Sequence, residues 1–244
     1  MKQICRELSG KNTRWSLNRG WRLRRLRPGG HRLACQWSAL PLHPRRETKR
    51  GSGQCCDLVR PVVNSEDLTT ERGQRWIIDT GDLALEAASR YEAPFKIVVE
   101  RVKPHRDSNR DKWLRENWWR PQRMRHEMRK TTHALERFIV TPTTSKHRVF
   151  AWLTQPILPD HKLVVIARCD DPFSGILHSR LHELWSKAAG TQLRERESGL
   201  NYSVQSSFES FPFPRPPPAQ EAAIAAAAKE LDIPSYLHIS FSGE

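Results

Sequence analysis

The sequence predicts a single mixed α+β domain with irregular ends. Short apolar runs of strand length, Phe138-Ile139-Val140, Val149 to Leu153 and Leu163 to Ala167, are interspersed with helical patterns but without a regular βα repeat. One helix start is well punctuated, at Asp171-Pro172 directly after the last of these runs. Only 37% of the 244 residues are apolar and 17 are prolines, which limits the core and leaves the ends irregular or disordered.

Residues 1–56 hold Trp15, Trp21 and Trp37 among Arg, Gly and Pro, with no sustained period of two or 3.6. They read as a basic arm, as a disordered tail, or as a segment in an altered reading frame. The last is favoured, because enrichment in Arg, Trp, Cys and Gly is what GC-rich DNA yields in a wrong frame. Residues 57–130 form a helical and linker region. Leu58-Val59, Val62-Val63 and Trp76-Ile77-Ile78 are one or two short strands, and Leu83 to Tyr91 a helix. Phe95, Val98, Val99 and Val102 recur at i, i+3, i+4 and i+7, the face of a helix that Pro104 should end. Asn109 to Lys130 is polar and interrupted by Pro121, with Trp113, Leu114 and Trp118 as its inward face.

Residues 131–214 hold the core. The run Leu163 to Ala167 is continuously apolar, as strands covered on both faces are. Asp171 should cap the next helix, with Pro172 at its first position, Leu177, Leu181, Leu184, Trp185 and Ala188 as its inward stripe, and Gly190 as its end. Phe208, Phe211 and Phe213 alternate with Pro212 and Pro214, which predicts an extended segment pinning aromatics against the domain. Residues 215–244 are a Pro-rich hinge and an Ala-rich helix whose pattern breaks off at Leu231.

The formal charge of +14 points to nucleic acid, since clustered Lys and Arg displace counterions from phosphates. Its distribution is uneven. Residues 1–50 carry 14 Lys/Arg against two acids, and the other 194 carry 27 against 25. Within the latter, residues 96–148 carry 15 against six, interleaved with Trp113, Trp118 and Trp119, which suits a face that tracks phosphates. The five cysteines have no metal-ligand spacing and follow no secretory leader, so a reduced, cytoplasmic setting is expected. No stretch is apolar enough for a membrane span.

Catalytic patterns are sparse. Asp170-Asp171-Pro172-Phe173 follows a strand and is similar to the [DNS]-P-P-[YF] loop that grips an exocyclic amine, but its first proline is missing and no Gly-rich cofactor loop precedes it. A helix start explains it better. His178 and His182 share a helix face near Cys169, short of the ligand set that zinc needs. Neither a GxSxG elbow nor a P-loop is present, so catalysis by this chain alone is unsupported and its standing as an enzyme stays open.

Several blocks nevertheless occur in a distinctive order: DLVRPVVNSEDLTT and RWIID between Asp57 and Asp79, YEAPFKIVVERVKP from Tyr91, Trp118-Trp119, FIVTPTTSKHRVFAW from Phe138, LPD from Leu158, FSGILHSRLHELWSKAAGTQ from Phe173, and FESFPFP from Phe208. Over residues 57 to 231 this order resembles the C-terminal target recognition region of the MmeI-like adenine-specific DNA methyltransferases, the Type IIL/IIG restriction-modification enzymes. The resemblance implies a recognition domain that grips double-stranded DNA, within a site-specific adenine-N6 methyltransferase that uses S-adenosylmethionine. It also implies a separate methyltransferase domain as partner. The family's catalytic and cofactor loops have no counterpart here, so no cofactor is expected on this chain. The departures upstream of Asp57 and after Leu231 suggest a fragment of a larger gene.

On that reading Arg101, Lys103, Arg106, Arg110, Arg123, Arg125 and Arg129 should hold phosphates, joined by Lys146 and Arg148 in the loop TPTTSKHR. Arg194, Glu195, Arg196 and Glu197, in a polar loop before Tyr202, are the candidate readers of base edges, because Arg and Glu match the major-groove donor and acceptor pattern. The alternative is a stand-alone basic nucleic-acid-binding protein that uses its Arg-rich arm.

Overall fold

The computed structural model describes residues 57–68, 75–192 and 199–231. The basic segment 1–56 lies outside them, as do the four candidate base readers.

Three small three-stranded sheets organise the described residues. In the first, β1 (Val59–Val63) pairs antiparallel with β2 (Arg75–Ile78) and parallel with β6 (Leu158–Pro159). The second is antiparallel throughout, with β3 (Arg137–Pro142) between β5 (Ala151–Thr154) and β7 (Leu163–Ile166). The third joins β4 (Thr144–Ser145) through β9 (Leu200–Asn201) to β8 (Thr191–Gln192), again antiparallel.

The second sheet explains the apolar runs. Successive side chains along a strand point to opposite faces. Phe138, Val140, Leu163 and Val165 therefore pack on one side with Val63, Leu135, Leu153 and Ile157. Ile139, Val164 and Ile166 pack on the other with Phe150, Leu177, Tyr202 and Phe208. Both faces are covered, as the continuous run predicted, although β7 is an edge strand of an antiparallel sheet.

A separate core gathers Leu58, Ile78, Ala88, Val98, Val102 and Trp119 under α1 (Leu85–Ser89) and α2 (Glu92–Ile97). Pro104 does not end the helix as expected. A π turn, Val98–Val102, follows α2, and its wider spacing lets Pro104 sit in the first turn of a new segment, α3 (Lys103–Asp107), where a missing N–H is tolerated. In α4 (Lys112–Glu116) only Leu114 is buried, because so short a helix has one inward position. Trp113, expected inside, is 43% exposed, and Trp119 takes the buried place with its indole N–H donating to the Leu83 carbonyl at 2.9 Å. Next comes α5 (His126–His133).

The largest departure lies in the predicted long helix. It is two helices, α6 (Asp171–His178) and α7 (Arg180–Ala189), separated by Ser179 in an extended conformation. One extended residue resets the helical phase, so the expected stripe does not continue inward. Leu177 is 1% exposed, but Leu181, Leu184 and Trp185 are 74%, 52% and 37% exposed, while His182 and Ser186 point in. Ser179 caps α7, its hydroxyl accepting from the His182 N–H at 3.3 Å. Asp171 is not a cap but the first helical residue, after Asp170, and its carboxylate pairs with Arg137 at 2.5 Å and Lys229 at 3.8 Å. Gly190 ends α7 as predicted.

Phe208 arrives on a helical π turn, Val204–Glu209, rather than on an extended strand. The pinning role holds: Phe213 stacks on Phe173 at 4.9 Å, and Phe211 meets the His182 ring edge-on at 4.7 Å. The Ala-rich helix α8 (Pro218–Leu231) lies on α6 where Gly175 leaves room, since a Cβ there would stand 2.7 Å from Ile224 Cγ2. Cys169 is disulfide-bonded, which departs from the reduced state expected from sequence. Among the described residues no helix is long and apolar enough to cross a membrane.

Candidate nucleic-acid interface

The nine cations expected on phosphates divide into three groups. Arg101, Arg110, Arg123 and Lys146 are exposed and suit that role. Lys103 is committed in part, bonded to Asp107 at 3.1 Å with its ammonium 5.7 Å from the centre of the Trp118 ring. The other four are buried or partly buried within the fold. Arg106 is buried, and burial pulls its pKa down against a smaller opposing effect of Asp111. Arg125 is half-buried at a positive φ of 50°, with its pKa lowered mainly by burial. Arg129 forms a two-point ion pair with buried Asp79, at 2.5 and 3.2 Å. Arg148 is turned inward, and burial pulls it down to about 10, so it stays charged at neutral pH.

The local sequence announces none of these four environments. A cation in a polar stretch looks the same whether it faces solvent or a distant carboxylate. Asp79 lies 50 positions from Arg129 in sequence. No local pattern signals that pairing.

The remaining exposed candidates include Lys146, which marks one end of the third sheet. Ser145 pairs with Leu200 and Leu200 with Gln192, so the β4–β5 turn and the β8–β9 connection leave the sheet at the same end. Lys146 and His147 are exposed there. Gly199, at φ 84°, crosses this turn so closely that a Cβ would stand 2.4 Å from the Ser145 carbonyl carbon. Ser145 closes the turn by donating its hydroxyl to the His147 carbonyl.

Behind the turn lies a buried polar chain that the sequence did not reveal. The Arg148 guanidinium donates to Thr141 Oγ1 at 3.2 Å, to the Pro142 carbonyl, and to the Leu200 carbonyl at 3.1 Å, and lies 4.7 Å from the Tyr202 ring centre. The Tyr202 hydroxyl and His182 Nε2 are 3.1 Å apart, and His182 Nδ1 is 3.0 Å from the Leu177 carbonyl. A carbonyl only accepts, so Nδ1 carries the proton and Nε2 accepts from Tyr202. Burial pushes His182 down to about 4 and raises Tyr202, so both are neutral at pH 7. Both ring nitrogens of His182 are thus taken by protein partners. His178 Nδ1 faces the Ser174 carbonyl at 2.9 Å.

The Asp171-Pro172-Phe173 stretch is likewise built into the packing. Asp171 is ion-paired, and Arg168 lies 4.6 Å from the Phe173 ring centre on which Phe213 also stacks.

The fold is similar to that of MmeI, a Type IIL restriction-modification enzyme whose structure was solved in complex with DNA: TM-score 0.57 at 16% identity, covering 70% of this chain and 22% of that one. The chain therefore spans about a fifth of that enzyme's length. No curated protein matches it. The family model for the MmeI target recognition domain matches residues 38–215. The chain belongs to the MmeI target recognition domain family. The match starts at residue 38, within the segment that the sequence reading set apart, and it leaves most of the basic arm uncovered. The stand-alone arm is accordingly not the favoured reading.

Proposed function

We propose that this chain is the DNA-reading part of a site-specific, adenine-specific restriction-modification methyltransferase, acting with a methyltransferase domain that binds S-adenosylmethionine. The observation that carries the reading is the end of the third sheet, where Lys146 and His147 stand exposed on the turn that Gly199 crosses at the start of β9. Exposed Arg101, Arg110, Arg123 and Lys146 supply phosphate contacts that set orientation. Arg194, Glu195, Arg196 and Glu197 are the proposed base readers, because their side chains present bidentate donor and acceptor patterns.

The test is binding of the full chain to a random-sequence duplex pool, with recovery and sequencing of bound DNA over several rounds. Enrichment of a defined site supports the reading, and binding without any sequence preference refutes it. The same titration on a chain lacking residues 1–56 separates the two origins of affinity: loss of all binding assigns it to the arm. Methyl transfer from labelled S-adenosylmethionine, measured with and without an added methyltransferase half, tests the catalytic part. Transfer only in the combined sample is the expected result.

A further inference from the structure

Arg148 directly follows the exposed Lys146–His147 turn and is partly buried. Its three protein acceptors come from two sheets: Thr141 and Pro142 on β3 of the second, and Leu200 on β9 of the third. Its planar fork spans these groups at once, which an ammonium on a flexible stem does not do. The guanidinium is in turn backed by Tyr202, whose N–H donates to the Thr143 carbonyl at 2.7 Å. Tyr202 is held by His182, and His182 by the Leu177 carbonyl at the end of α6, one of the carbonyls that a helix C-terminus leaves without a helical partner. Phe150 packs edge-on to the Tyr202 ring at 5.9 Å and lies 5.5 Å from that of His182, walling the chain off from water.

The sheet being braced is short. β4 and β9 pair over two residues each, too few for the ladder alone to fix their register. Gly199 and Ser145 are also in such close contact that a shift of either strand carries the turn with it. From these observations we infer that Arg148, backed by Tyr202 and His182, is a positioning residue for DNA specificity: it holds the Lys146–His147 turn and the start of β9 in one register. It contributes no phosphate contact of its own. The inference rests on the DNA-reading function proposed above.

Two variants of the full chain test it, Arg148→Gln and Tyr202→Phe. Each is compared with the wild type for discrimination between the enriched site and its single base-pair substitutions, for the salt dependence of binding, and for thermal melting. A mismatched base pair ordinarily weakens specific binding about 5- to 150-fold. Arg148→Gln is expected to erode that discrimination about tenfold at some positions. The slope of log affinity against log salt should stay unchanged, since each lost phosphate contact would lower it by about 0.9.

Tyr202→Phe keeps the ring over Arg148 and removes only the hydroxyl. It should give a smaller loss of the same sign, about threefold, and it carries the test if Arg148→Gln fails to fold. Unchanged discrimination in a folded variant overturns the inference, and so does a slope reduced by about 0.9 in Arg148→Gln, which would make Arg148 a phosphate contact. A wild type that enriches no site refutes the DNA-reading function itself, and that result is distinguishable from failure of the variants alone.

Discussion

Lowering the pH from 7 to 4 should unfold this domain partly through one histidine. His182 has no solvent exposure, donates from Nδ1 to the Leu177 carbonyl and accepts at Nε2 from Tyr202. Protonating Nε2 replaces an acceptor with a second donor facing a hydroxyl, in a site already beside the Arg148 cation and His178. Burial, with smaller effects of Arg148 and His178, moves its pKa from the ordinary 6.5 to about 4. Because the folded value is the lower one, the unfolded chain takes up the proton first as pH falls. Stability is full above about pH 6.5, declines between there and about pH 4, and levels off below.

At about 1.4 kcal/mol per pKa unit, the shift amounts to roughly 3 kcal/mol, a large share of the ~5–15 kcal/mol that holds an ordinary domain together. Urea unfolding of the wild type and of His182→Gln at pH 7, 6, 5 and 4 measures it. Glutamine keeps hydrogen-bonding groups at the site and does not titrate. The wild type should lose about 3 kcal/mol more than the variant across the series, with a slope of at most about 1.4 kcal/mol per pH unit. Other groups that titrate in this window are common to both proteins and cancel. Parallel pH profiles would refute the argument.

Three further outcomes follow from the same geometry. Lys146→Ala should lower the salt slope of DNA binding by about 0.9, whereas Arg106→Gln, at a buried position, should leave the slope unchanged, as binding titrations at several salt concentrations will tell. Leu177→Ala should cost about 2–5 kcal/mol in chemical denaturation. Leu181→Ala, on the exposed side of the reset helix, should stay within about 0.5 kcal/mol, and equal losses would contradict the break at Ser179. Arg129→Ala leaves the buried Asp79 carboxylate with Arg60 at 3.8 Å and the Gly81 N–H at 3.3 Å, and should destabilise by about 3 kcal/mol; a melting temperature equal to the wild type's would count against that ion pair.

The signals legible in the chain are local. The run from Leu163 announced a strand covered on both faces, Asp171-Pro172 a helix start to within one residue, and the ordered blocks from Asp57 to Pro214 the family, because each signal is carried by neighbouring residues. Tertiary structure decided what depends on distant partners. The extended Ser179 turned Leu181, Leu184 and Trp185 outward and His182 inward, since a helix's inward face is set by the phase in which it starts. Arg129 and Arg148 are engaged inside the fold because Asp79 and the Leu200 carbonyl, 50 and 52 positions away, are brought to them. The sign of a charge can be read from the chain, but whether it meets solvent or a buried partner is settled only when the sheets are packed.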